Sequence, residues 1–191
     1  MTTDTPFRIL AVCTGNVCRS PMVERLLQGA LASIAPGEFV ISSAGTGALV
    51  DRPMDAQVAG LVRQFDGDPE GFHARQLEEH VIRDNDLVLA LTREHRSRVI
   101  EMAPSLLRKT FTLREFARLI APLDGDSSLD GPLRWRTILP KVARARSAHP
   151  SDPSQDDVID PYRRPNEVYQ QMVGELVPAV KSLIDWEHNY R

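Results

Sequence analysis

Cys13 and Arg19 stand at the two ends of the stretch Cys13-Thr14-Gly15-Asn16-Val17-Cys18-Arg19, and Ser20 follows. A thiolate is a strong nucleophile, and a guanidinium presents a planar fork to two oxygens of one phosphoryl group, which lysine cannot do. The apolar run Ile9-Leu10-Ala11-Val12 before the stretch reads as a buried strand, and Pro21 after it opens an apolar-periodic run that reads as a helix. The stretch is therefore a loop from a strand end to a helix N-terminus. Unpaired backbone N–H groups and the positive end of the helix dipole meet there, and both favour a dianion or a thiolate. Gly15 permits close backbone approach, and Asn16 tolerates the left-handed conformation that turns N–H groups inward. A cysteine at a strand end is, taken alone, an inert core residue. The string around Cys13 reverses that reading and points to attack of sulfur on phosphorus. A Walker-type nucleotide loop is excluded, because no Gly-Lys-Ser/Thr follows.

The elements that position this loop follow from hydrophobic periodicity. Phe7 to Cys13 is the first strand and Met22 to Ile34 the first helix. Phe39-Val40-Ile41 is a short second strand that runs into the small-residue loop Ser42-Ser43-Ala44-Gly45-Thr46-Gly47. Helices are expected over Met54 to Phe65 and Gln76 to Asp84, a central strand over Leu87 to Leu91, and a helix over Arg93 to Met102. Lys109 to Leu113 is the fourth strand and Arg114 to Ile120 another helix. Glu167 to Trp186 is helical, interrupted at Gly174 and Pro178. Strands that alternate with helices imply a parallel sheet covered on both faces, with ligands bound beyond the strands' carboxyl ends. The fold class is therefore α/β: a four-stranded parallel sheet with helices on both faces and a phosphate-binding loop after the first strand.

Bulk properties narrow the function. The 191 residues fit one domain, and a formal net charge of −3 gives no electrostatic case for nucleic-acid binding. No apolar run is long enough for membrane insertion, and the N-terminus MTTDTPFRILAV makes a poor signal peptide. Two cysteines in one tight loop fit reactive thiols in a reducing compartment, so the cytoplasm is the expected location. Zinc ligation is not expected: the cysteines lack ligand spacing, and His73, His80, His95, His149 and His188 form no close pair. The chain gives no sign of its oligomeric state beyond a default expectation of a monomer. The segment 122–157 opens acidic, turns basic and ends Pro-rich, too long for a plain connection. Within it Ile138, Leu139 and Val142 share a helical face, with Arg136, Lys141, Arg144 and Arg146 mostly elsewhere. Two readings follow: a helix docked on the domain, or a basic flap near the cleft rim that recruits acidic phosphoproteins.

The string CTGNVCRSP resembles the signature of the low-molecular-weight protein tyrosine phosphatases, C-x-G-N-x-C-R-S-P. The resemblance extends to SSAGTG at 42–47, HARQL at 73–77 and DPY at 160–162, and covers most of 7–120 and 158–185. It implies a metal-free, cofactor-free hydrolysis of phosphotyrosine proteins through a phosphocysteine intermediate. By that resemblance Cys13 is the nucleophile, Arg19 binds the phosphoryl group and Asp160 is the general acid. Thr14, Gly15, Asn16, Val17, Cys18 and Ser20 complete the phosphate loop, braced by Ser43 and by a partly buried His73. Of the pairs Asp68-Pro69, Asp152-Pro153 and Asp160-Pro161, only the last is followed by Tyr; the others read as turns. The family often carries an aromatic residue after the serine-glycine loop; here Leu49 implies an aliphatic cleft wall, with Tyr162 as the candidate aromatic one. For Cys18 two readings stand, core packing and a reversible disulfide with Cys13. The phosphoarginine branch tends to carry threonine at Val17, so valine favours phosphotyrosine. A thioredoxin-coupled arsenate reductase needs further relay cysteines, which this chain lacks; a small-thiol-coupled one stays open as an alternative, though Asp160 then has no obvious purpose. A non-catalytic phosphate-binding module predicts loss of Cys13, Arg19 or the acid.

Overall fold

The computed structural model describes residues 5–148 and 152–191. The N-terminal 1–4 and His149, both used in the reading above, lie outside them. Four strands, β1 (Phe7–Cys13), β2 (Phe39–Gly45), β3 (Leu87–Ala90) and β4 (Thr110–Thr112), form one sheet in the order β2-β1-β3-β4. Every neighbouring pair is parallel. The helices are α1 (Arg19–Ile34), α2 (Ala56–Gln64), α3 (Glu79–Arg83), α4 (Arg93–Met102), α5 (Leu113–Ile120), α6 (Gly131–Ala148) and α7 (Asn166–Asn189). Among the described residues no helix is long and apolar enough to cross a membrane.

β1 lies inside the sheet, which explains its unbroken apolar run. Ile9 and Ala11 face a core shared with α1, α2, α5, α6 and α7; Leu10 and Val12 face a smaller one against α3 and α4. The register sets Cys13 beside Gly45 and Val12 beside both Ala44 and Ala90. The carboxyl ends of three strands therefore converge on the cysteine loop.

Several boundaries differ from the sequence reading, each for a physical reason. β2 runs on through Ser42, Ser43 and Ala44, because these pair with β1 although strand propensity is weak there. α3 starts late because Gln76 bridges to Gly45 and the Leu77 N–H donates to the Gly45 carbonyl, so 75–77 extends beside β2. α7 continues through Gly174 and Pro178. Its buried stripe of Met172, Leu176, Ala179, Val180 and Leu183 outweighs the local cost of both residues.

The segment 122–157 contains α6, docked on the domain. Trp135 is fully buried and touches Phe7, Phe39, Phe116 and Trp186, with ring centroids 5.4–6.0 Å away. Its indole N–H donates to Glu187 at 2.9 Å, and Arg134 donates to the other oxygen of the same buried carboxylate at 2.6 Å. The helix does not sit at the cleft rim. Arg136 donates to the carbonyls of Thr5 and Pro6 ahead of β1 and pairs with Asp86 ahead of β3, at the amino ends of the strands. Of the two readings the docked helix agrees with the structure and the flap does not, because Trp135 and Arg134 tie α6 down. Trp135→Ala should lower unfolding free energy by about 3–5 kcal/mol. Lys141→Gln, on the exposed face, should change it by about 0.5 kcal/mol or less. Urea titration of both variants reads the difference.

Candidate active site

The cysteine loop is shaped by bonds to its outer side. The carbonyls of Cys13, Thr14 and Gly15 accept from the N–H groups of Thr46 (2.9 Å), Gly47 (3.1 Å) and Leu49 (3.0 Å). The Val17 carbonyl accepts from Asp55 (2.9 Å) and that of Cys18 from Met22 (3.2 Å). Carbonyls turned outward leave the intervening N–H groups turned inward. The N–H groups of Gly15, Asn16 and Val17 have no protein acceptor among the described residues. Such an array suits a tetrahedral dianion at a helix N-terminus. Asn16 makes the turn possible with φ of 53°. Gly45 lets β2 close on the loop, since a Cβ there would stand 2.3 Å from the Thr14 carbonyl oxygen.

A chain of side chains fixes the polarity around the nucleophile. The Ser43 hydroxyl donates to Glu24 at 2.6 Å. Its oxygen then accepts from Asn16 Nδ2 at 2.8 Å, and the same amide donates to Ser20 Oγ at 2.9 Å. Ser20 Oγ, with Asn16 on one lone pair, has its proton free for Cys13 Sγ, 2.9 Å away. Asn16 Oδ1 is held by the Arg75 N–H at 2.8 Å. Burial raises the Glu24 carboxyl above its ordinary range, with the Ser43 hydrogen bond opposing.

Arg19 is 4% exposed. One terminal nitrogen donates to the Val158 carbonyl at 3.0 Å and the other pairs with Asp160 at 2.9 Å. Its Nε is buried without a hydrogen-bond partner among the described residues. Cys13 to Arg19, Gly47, Leu49, Asp160 and Tyr162 surround a single cleft of about 200 Å³. Leu49 is a wall of this cleft and Tyr162 provides its aromatic side. Asp152 and Asp68 do not line it; their carboxylates accept from Ser154 and from the Glu70 N–H within local turns.

His73 is a correction. Its ring is exposed, and its nearest polar partner is the Asp51 carbonyl at 3.5 Å. The bracing comes from the same HARQL motif but two and three residues on. Arg75 holds Asn16 and the Ser43 carbonyl, and Gln76 bonds Ala48 and Thr46. Cys18 is buried and free, as is Cys13. Burial, with Asp55 adding, pushes the Cys18 thiol well up, so it stays protonated and packs.

Two contributors escaped the sequence reading. Glu24 lies one helical turn beyond Ser20, and that spacing was a usable signal. His95 had none, because its role depends on the packing of α4 against the loop. Its Nε2 lies 2.8 Å from Thr14 Oγ1 and its Nδ1 lies 2.9 Å from Thr92 Oγ1. Burial holds the imidazole neutral down to about 4; Arg19 pushes the same way, while Asp160 and Asp157 oppose.

The model of the low molecular weight phosphotyrosine protein phosphatase family matches residues 8–133. The chain belongs to that family. Over 102 residues it is 40% identical to the low molecular weight protein-tyrosine-phosphatase Etp of Escherichia coli K12, a match that covers 53% of this chain and 66% of Etp. The chain thus spans just under two thirds of the first curated relatives. It is also 37% identical over 181 residues to the protein-arginine-phosphatase of Geobacillus stearothermophilus, covering 94% of this chain and 95% of that one. Among solved structures, the Erwinia amylovora tyrosine phosphatase amsI superposes with a TM-score of 0.68 at 25% identity, over 97% of this chain and 93% of its own. The family match contains Cys13, Arg19, Ser43 and His95 but ends before α6 is complete and before Asp160.

Two outcomes test this geometry. Gly45→Ala should destabilise the fold and disturb the loop together, read as a lower Tm and weaker binding of inorganic phosphate. His95 binds a proton less readily in the folded chain than in the unfolded one. Its contribution to stability is therefore complete above its ordinary pKa of 6.5 and is lost as pH falls toward about 4. The loss amounts to about 3 kcal/mol at most. Unfolding curves across that window should slope less in His95→Gln than in the parent.

Proposed function

We propose that the protein is a protein tyrosine phosphatase that hydrolyses phosphotyrosine monoesters through a phosphocysteine intermediate. The observation that carries the reading is the convergence of Cys13, Arg19 and Asp160 on one cleft above inward-facing N–H groups. Cys13 Sγ attacks phosphorus while the loop N–H groups and the Arg19 fork hold the equatorial oxygens. Phosphoryl oxygens compete for Arg19 and release Asp160, whose side chain is 52% exposed at the cleft mouth, toward the leaving oxygen. Asp160 protonates that oxygen, then takes a proton from the water that hydrolyses the thiophosphate. Ser20 supports the departing thiolate. Leu49 and Tyr162 flank the ring of the substrate. Two free thiols in one loop fit a reducing, cytoplasmic setting and phosphotyrosine proteins as partners.

A second reading is protein arginine phosphatase, favoured by the nearly full-length match to such an enzyme. Val17 counts against it: an apolar side chain at the cleft offers a guanidinium no hydrogen bond. Thioredoxin-coupled arsenate reduction lacks a relay, because the chain holds two cysteines.

Purified protein offered phosphotyrosine, phosphoserine and phosphoarginine peptides should turn over the first fastest, and Cys13→Ser should abolish turnover with the fold intact. Arg19→Lys should also be severely impaired, because a point charge cannot grip two oxygens. Substantial activity in Cys13→Ser without added metal would sink the covalent route; faster phosphoarginine turnover would replace the substrate class. Asp160→Asn should slow esters with poor leaving groups by about 10²–10⁴-fold and activated aryl phosphates much less. A larger loss in Asp152→Asn would move the acid.

A further inference from the structure

At the pole of the sheet opposite the cleft, α6 leans over the turn Pro104–Lys109 that leads into β4. Between them lies a groove of about 740 Å³. Leu139, Pro140 and Ala143 of α6 give it an apolar wall. Arg144 of the same helix and Arg108 and Lys109 of the turn give it positive charge.

Folding sorts the basic residues of α6. Arg134 is spent on buried Glu187, and Arg146 on Glu115 with its plane over Phe111. Arg136, on the groove's edge, is spent on Asp86, which removes the one acidic charge of the lining. Arg108, Lys109 and Arg144 are exposed, and their side chains make no ion pair or hydrogen bond among the described residues. Three uncompensated cations thus border one apolar groove, on a chain whose formal net charge is −3. Residues far apart in sequence supply them, and most of α6 lies beyond the stretch matched by the family model.

We propose that this groove docks an acidic peptide segment of a partner protein, one that sets carboxylates against Arg108, Lys109 and Arg144 and an apolar side chain against Leu139 and Ala143. Charge complementarity selects the acid, and the apolar wall selects a peptide with mixed side chains. No aromatic ring lines the groove to stack a base, so a nucleic acid strand is the poorer occupant. Its place at the amino ends of the strands leaves the catalytic cleft open while a partner is bound.

The test is fluorescence anisotropy of the full chain with a labelled, unphosphorylated peptide of alternating Glu and Leu. The peptide should bind, bind less tightly as salt rises, and stay bound when inorganic phosphate saturates the cleft at constant ionic strength. The triple variant Arg108→Glu, Lys109→Glu, Arg144→Glu should weaken it by at least about tenfold. That variant should keep its circular dichroism and its turnover of a small aryl phosphate. Three results would each overturn the proposal: no binding by the parent, equal binding by the variant, or displacement by phosphate. Tighter binding of a single-stranded oligonucleotide of equal charge would assign the groove to nucleic acid instead and overturn it as well.

Discussion

A loop that holds a phosphoryl dianion by its N–H groups needs somewhere to put its carbonyls. Here they are satisfied from outside, by the backbone of 46–49 and by Asp55. This works only because β1 and β2 end in register, with Cys13 beside Gly45, and because position 45 lacks a Cβ. Strand pairing, glycine and loop conformation are thus one constraint. The side-chain chain from Glu24 to Cys13 adds direction to it. The Ser43 proton goes to Glu24, and the Asn16 amide, oriented by the Arg75 N–H on its oxygen, donates to both serines, which leaves the Ser20 proton free for Cys13 Sγ.

Asp160, the proposed acid, arrives by a separate route. The segment before Asp160 is tied down along its length: Arg118 pairs with Asp156, Arg93 and Arg114 hold Asp157, and the Val158 N–H donates to Leu91 at the end of the central strand. Glu175 of α7 accepts from the Ile159 N–H. These anchors hold the backbone up to Asp160, whose carboxylate pairs with Arg19 and accepts from the Tyr162 N–H. In the proposed mechanism one guanidinium positions the acid before substrate arrives and the phosphoryl group afterwards.

α6 shows how burial redistributes charge. In sequence it is a basic stretch, and its cations look equivalent. Trp135 enters an aromatic cluster with Phe7, Phe39, Phe116 and Trp186, and this insertion turns Arg134, Arg136 and Arg146 toward carboxylates while Arg144 remains outside. The helix is part of the core before it is a surface.

The local chemistry was legible in the chain. Cys13, Arg19 and Ser20 sit within one strand-loop-helix junction, so their proximity is guaranteed by short covalent separation, and alternating strands and helices settled the parallel sheet. Asp160 could be named by its Asp-Pro-Tyr context, but its contact with Arg19 spans 141 positions of chain and needed the fold. His73 was misjudged because a motif gives neighbours in sequence, while burial is decided by what packs on top; two residues on, Arg75 points at the loop instead. His95 meets Thr14 because α4 begins at the carboxyl end of β3 and carries His95 in its first turn, beside the loop that follows β1. The basic residues of α6 were visible as a composition, yet their partners, Asp86, Glu115 and Glu187, come from three other segments. Sequence fixes which groups are available within a few residues of each other. Long-range pairing, burial and the choice among several possible ion pairs are free energies of the packed whole, and no local pattern encodes them.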